Sequence, residues 1–204
     1  MKDAAVGLRA HSGWAALVAV AGDGASVEVV DRRRVEMADP RRPLSKRPYH
    51  EAEDLPLEKA TSLIDRNSKD ASAMAGRALK DVMAGLREKG YRPMGSALLL
   101  ASGRPQPKLD AILASHALIH AADGEHFRVA LREASLSCGL EVTGIREAEL
   151  LERAQRVLAQ PAAQLQATVT SLGRALGPPW TQDQKMAALA AWLVLARADT
   201  PGRG

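Results

Sequence analysis

Cysteine and aromatic rings are scarce in this sequence. A single thiol, Cys138, excludes an internal disulfide and any zinc cluster built from cysteines. In the run LSCGL it stands at the end of a helical pattern with Gly139 at the C′ position, where a buried small side chain is expected. Aromatic residues make up 3% of the chain, so the 46% hydrophobic content rests on alanine and leucine, which suits helices packed closely on a small sheet. No stretch approaches about 18 uninterrupted apolar residues, so none reads as a membrane span. The opening MKDAAVGLRAHSGW carries charges where a secretory signal would be apolar. The expectation is therefore a cytoplasmic protein, with one domain over residues 1–198 and a flexible tail over 199–204. Also missing are GxGxxG, Walker and Gly-x-Ser-x-Gly motifs: Ser12 and Ser102 each precede a glycine but stand in none of them.

What is present includes an uneven charge. The chain has 28 basic and 24 acidic residues, an excess of +4. Between Asp31 and Pro48 lie Arg32, Arg33, Arg34, Arg41, Arg42, Lys46 and Arg47 against Asp31, Glu36 and Asp39, so this segment carries the whole excess. Arg32, Arg33, Arg34, Arg41 and Arg42 are candidates for contact with a nucleic-acid backbone, although a solvated arm would have the same composition. The only aromatic residue beside this strip is Tyr49.

The order of elements follows from periodicity. Residues 5–20 and 26–37 read as extended, with a turn at Asp23-Gly24, and should pair as an antiparallel hairpin. A basic, proline-rich insertion at about 38–56 follows, with room for a short strand over 47–52. Apolar or small residues at Leu57, Ala60, Ile64, Ala71, Met74, Ala78, Val82 and Leu86 define one long amphipathic helix ended by Gly90. MGSALLLAS and LEVTGI read as short strands, separated by a helical stretch that Asp123-Gly124 should break. Three helices close the chain, over about 146–158, 161–176 and 181–196, the last opened by a Thr181 to Gln184 capping box. Strands separated by helices imply right-handed crossovers and parallel pairing. The expected fold is a three-layer α/β/α sandwich with a mixed sheet that begins as an antiparallel hairpin.

This order, the run Gly7-Leu8-Arg9-Ala10-His11-Ser12-Gly13-Trp14 and the alanine- and leucine-rich TQDQKMAALAAWLVLA resemble the ribonuclease H-like superfamily, especially resolvases of the RuvC type. The resemblance implies two divalent metals held by carboxylates from the first strand, from the end of the strand after the first long helix, and from the final helix. Hard cations need such oxygen ligands. Here the first position is Arg9, LLLASGRP has no acid, and only Asp183 remains in the third region. The resemblance thus implies a degenerate metal site in which Arg9, with Lys185 across from it and His11 nearby, contacts a phosphate or carboxylate directly. Arg9 snorkelling from the sheet or pairing with Asp183 is the plainer alternative.

Another cluster is ASHALIHAADGEHFR. His116 and His120, four apart, share a helix face, and Glu125 and His126 follow. Such spacing can ligate a divalent metal, the one cofactor the sequence leaves open; partly buried structural histidines are the plainer reading, and His50 stands isolated. Three functions follow as expectations: a non-catalytic, nucleic-acid-associated scaffold; a hydrolase using His116, His120 and Glu125 around a metal with His11 as acid or base; and a homodimerising module that buries the GPPW segment, Trp192 and the last helix.

Overall fold

The computed structural model describes residues 1–22, 25–101 and 105–198. The Asp23-Gly24 turn, Ser102-Gly103 and the 199–204 tail lie outside the described residues.

Where one strand was expected over 5–20, there are two: β1 (Lys2–His11) and β2 (Trp14–Gly22), paired antiparallel with His11 opposite Trp14. Apolar residues dominate both strands, and the chain turns at Ser12-Gly13. Gly13 has φ +83°, a conformation that favours glycine. β3 (Val27–Glu36) pairs with β2 and forms one sheet edge. Residues 47–52 form no strand but a one-turn helix α1 (Pro48–Ala52), because Pro48 sits at the first helical position, where its missing N–H costs nothing. The long helix α2 (Leu57–Glu88) spans about 48 Å, and β4 (Tyr91–Leu100) returns parallel to β1.

The next helical break falls elsewhere than expected. α3 (Leu109–Leu113) ends at Ala114, Ser115 is extended, and α4 (His116–Ser137) runs through Asp123-Gly124 unbroken. Asp123 is buried with its carboxylate bonded to α1, so its side chain serves tertiary structure rather than a turn. At the end of α4, Gly139 takes φ +76° as the C′ position requires, and Cys138 is half-buried. β5 (Val142–Arg146), a 3-10 turn over Glu147–Glu149, α5 (Leu150–Leu158), α6 (Ala162–Leu172) and α7 (Gln182–Ala198) complete the chain. At the start of α7, Gln184 Oε1 accepts from the Thr181 amide (2.6 Å) and hydroxyl (3.0 Å), so the hydroxyl meets the glutamine side chain instead of its amide.

The sheet order is β3-β2-β1-β4-β5, antiparallel on one side of β1 and parallel on the other. Strand alternation sends Leu8, Leu17 and Leu98 to one face, under α2 and α4. Val18, Val20, Ala97 and Leu99 go to the other face, under α5, α6 and α7. This is the expected three-layer α/β/α sandwich. Trp192 and the apolar side of α7 are buried within this chain, and the Trp180 indole donates to the Val169 carbonyl at 2.8 Å. Of the surfaces expected to meet a second copy, Trp192 and much of α7 are thus covered internally, whereas Pro178 and Pro179 of the GPPW segment are exposed.

Small residues set how close α7 comes to the sheet. A Cβ on Gly7 would lie 1.8 Å from the Ala187 carbonyl oxygen, so the two backbones touch. Two residues along β1 from Gly7, on the same face, is Arg9; one turn back along α7 from Ala187 is Asp183. This approach brings those two side chains together.

Candidate functional site

Arg9 leaves β1 on the α7 face and meets two carboxylates. Its Nε and Nη2 donate to Glu147 Oε1 and Oε2 at 3.2 and 2.8 Å, a bidentate fork, and Nη1 donates to Asp183 Oδ1. The side chains of Arg9, Glu147 and Asp183 are 21%, 28% and 21% exposed, so water screens them only in part. The bonds to Glu147 and then to Asp183 hold the guanidinium pKa above its ordinary value, with burial opposing. Asp183 Oδ1 also accepts from His11 Nε2 at 3.0 Å.

The line of contacts continues outward. His11 stacks on Trp14 with ring centroids 4.3 Å apart and planes 13° from parallel, and the Arg34 guanidinium lies 3.8 Å above the Trp14 ring. Sheet register explains this: Arg9 faces Ala16, which faces Arg34, while His11 faces Trp14, so all stand in adjacent rows of one face. Arg34, exposed, also pairs with Glu36.

Several expectations change here. A second carboxylate, Glu147, joins Asp183, supplied by the turn after β5. Arg9 is therefore no free phosphate ligand, because its fork is engaged by carboxylates on both sides. Lys185 lines a groove of about 430 Å³ between α5, α6 and α7 with Glu147, Gln166, Thr170 and Gln182. The basic strip is internally paired: Arg33 with Asp31, Arg41 with Asp39, and Arg42 with Asp39 and Asp70. Arg32 donates to the carbonyls of Gly177 and Pro179 at 3.0 and 2.6 Å.

The histidines divide between two layers. His11 faces α7, whereas His116 and His120 stand on α4, across the sheet, so they form no common catalytic set. Glu125 pairs with Arg128 at 3.5 Å instead of joining them. His126 is buried against α2 near Ser68. His50, apparently isolated in sequence, is the residue that does join His116 and His120.

The five-stranded mixed sheet with helices on both faces is a ribonuclease H-like fold of the RuvC kind. Two structures of Thermus thermophilus RuvC are similar to this chain. One has a TM-score of 0.55 at 14% identity, and the other, in complex with a Holliday junction substrate, 0.57 at 13%. Each match covers 97% of both chains. No protein-family model matches the sequence, and no curated protein does.

Proposed function

We propose that this chain is a nucleic-acid-binding protein that holds DNA on a ribonuclease H-like scaffold without cutting it. The observation that carries the reading is the Arg9 guanidinium between Glu147 and Asp183. A two-metal nuclease needs carboxylate oxygens free to bind cations that steady the attacking and leaving groups. In this chain a fixed side-chain cation engages those oxygens, and a divalent ion would have to displace it against like-charge repulsion.

The adjoining surface supports binding. Trp14 stacks with His11 and lies under the exposed Arg34 guanidinium, which a base can displace to stack on the indole without regard to sequence. The guanidinium groups of Arg33, Arg34, Arg41 and Arg42 reach solvent, and water screens their pairs, so a phosphate can compete with the carboxylate partner. Arg32, held by two carbonyls, contributes less. The similar Thermus protein solved with a Holliday junction makes a four-way junction the first ligand to try.

The test is fluorescence anisotropy with labelled four-way junction, duplex and single-stranded DNA over a salt series. The expected result is binding that weakens steeply with salt and loses about 1–3 kcal/mol on Trp14→Ala, the worth of one stacked base. Absent binding at low salt, or binding indifferent to both salt and Trp14, would overturn the proposal.

A further inference from the structure

On the opposite side of the sheet from Arg9, the short helix α1 and the N-terminal half of α4 bring three imidazoles together. His50, His116 and His120 each offer a ring nitrogen, and these atoms lie within 4.8 Å of one another. Their ring centroids are 5.3, 4.4 and 4.5 Å apart, all edge-on. The Nε2 atoms of His116 and His120 are 3.1 Å apart, near the separation of about 3.4 Å that two nitrogens take around a tetrahedral zinc with bonds of about 2.0–2.1 Å.

The surroundings orient the rings. Asp123, 4% exposed, accepts from His50 Nδ1 at 2.5 Å and from the Tyr49 amide at 2.8 Å. That bond leaves His50 Nε2 as its free donor. On the other side Glu53 lies 3.8 Å from His116 Nδ1, while the His116 Nε2 atom points at His120. A carboxylate behind a histidine is the arrangement that fixes metal-binding imidazoles. Lone pairs that converge in this way require a shared proton or a cation between them.

We propose that His50, His116 and His120 form a binding site for one zinc-class divalent cation, with Asp123 and Glu53 as positioning residues. Three neutral nitrogen donors select borderline first-row metals such as Zn²⁺ and Co²⁺ over Mg²⁺ or Ca²⁺. His116 and His120 are exposed, so the fourth position faces solvent. The bound ion ties α1 to α4, closing the end of the basic, proline-rich segment onto the helical layer. Its role is to brace this arm, and it stands apart from the Arg9 cluster.

The test uses the untagged full chain, freed of metal by chelation and titrated with zinc alone by calorimetry, and with cobalt alone by visible absorption. The expected results are one zinc per chain and an intense tetrahedral cobalt band, with both lost in the doubly substituted His50→Gln, His120→Gln protein. Asp123→Asn should weaken affinity by about 10–100-fold, and binding should fall as acid protonates the imidazoles. Circular dichroism of the metal-free variants confirms that they fold, and single His120→Gln, at an exposed position, serves if the double variant does not. No saturable uptake by the native chain, or uptake undiminished by His120→Gln, would overturn the assignment.

Discussion

Substitution of Arg9 by alanine removes the one cation between two carboxylates. In the native chain its fork makes two bonds to Glu147 and a third to Asp183, among side chains about one-fifth to one-quarter exposed. Breaking a fully buried pair by deleting one partner costs about 3–5 kcal/mol. An exposed pair is worth about 0–1 kcal/mol. The partial exposure here places the loss between these limits, at about 2 kcal/mol, because Glu147 and Asp183 are then left without the guanidinium they share. At about 2–4 °C per kcal/mol for a chain of this size, Tm should fall by about 4–8 °C in scanning calorimetry. The vacated position should also become a place for a hard cation. Magnesium at tenfold excess over its Kd should restore about 1.4 kcal/mol to Arg9→Ala while leaving the native protein unchanged. Magnesium is the appropriate probe because three imidazoles do not compete for it. Equal stabilisation of native protein and variant by magnesium, or an unchanged Tm on substitution, would refute the reasoning.

Other consequences follow from packing and titration. Gly7→Ala should destabilise by about 3 kcal/mol or more, since its Cβ would meet the Ala187 carbonyl oxygen at 1.8 Å and backbone must move; a normal Tm would show that α7 does not rest on β1. Arg34→Ala should reduce junction affinity and flatten its salt dependence, read by anisotropy, and an unaltered salt slope would remove Arg34 from the interface. Burial holds the His126 pKa below 6.5, with Asp123, the Asn67 backbone and Glu133 opposing. Its contribution is fully present above pH 6.5, where both folded and unfolded chains are neutral at this ring. It is lost as pH falls from 6.5 toward the lower folded value, because the unfolded chain takes the proton first. Urea midpoints in chelator at pH 7.5 and 5.5 should therefore drop further for the native chain than for His126→Gln, and parallel drops would contradict this.

Long-period features were readable in the sequence because they repeat. The apolar spacing of α2 and the alanine-rich α7 define the helical layers, and the crossover order defines the parallel half of the sheet. Features set by a single residue or by register were not. The β1–β2 turn rests on Ser12-Gly13 inside a largely apolar stretch, so two strands resemble one. Asp123-Gly124 has the composition of a turn, yet the Asp123 carboxylate is drawn into bonds with Tyr49 and His50 some seventy residues earlier in the chain.

The candidate site divides in the same way. Arg9 with Asp183 is among the sequence-based alternatives, whereas Glu147 carries no local signal: the resemblance points to the end of β4, and the acid stands after β5 in the run GIREAE. Trp14 next to Arg34 is invisible without the three-strand register, which places residues twenty apart in neighbouring rows. His50 lies 66 residues from His116, a separation that local spacing cannot bridge.

The proposed function rests on the Arg9 guanidinium engaging the carboxylates that a two-metal nuclease would need free. The most direct measurement is a cleavage assay of the native protein on a labelled four-way junction with millimolar Mg²⁺ or Mn²⁺, at concentrations where anisotropy shows the junction bound. The account predicts a bound, intact junction under both metals. Metal-dependent cleavage that disappears on Asp183→Asn would contradict it.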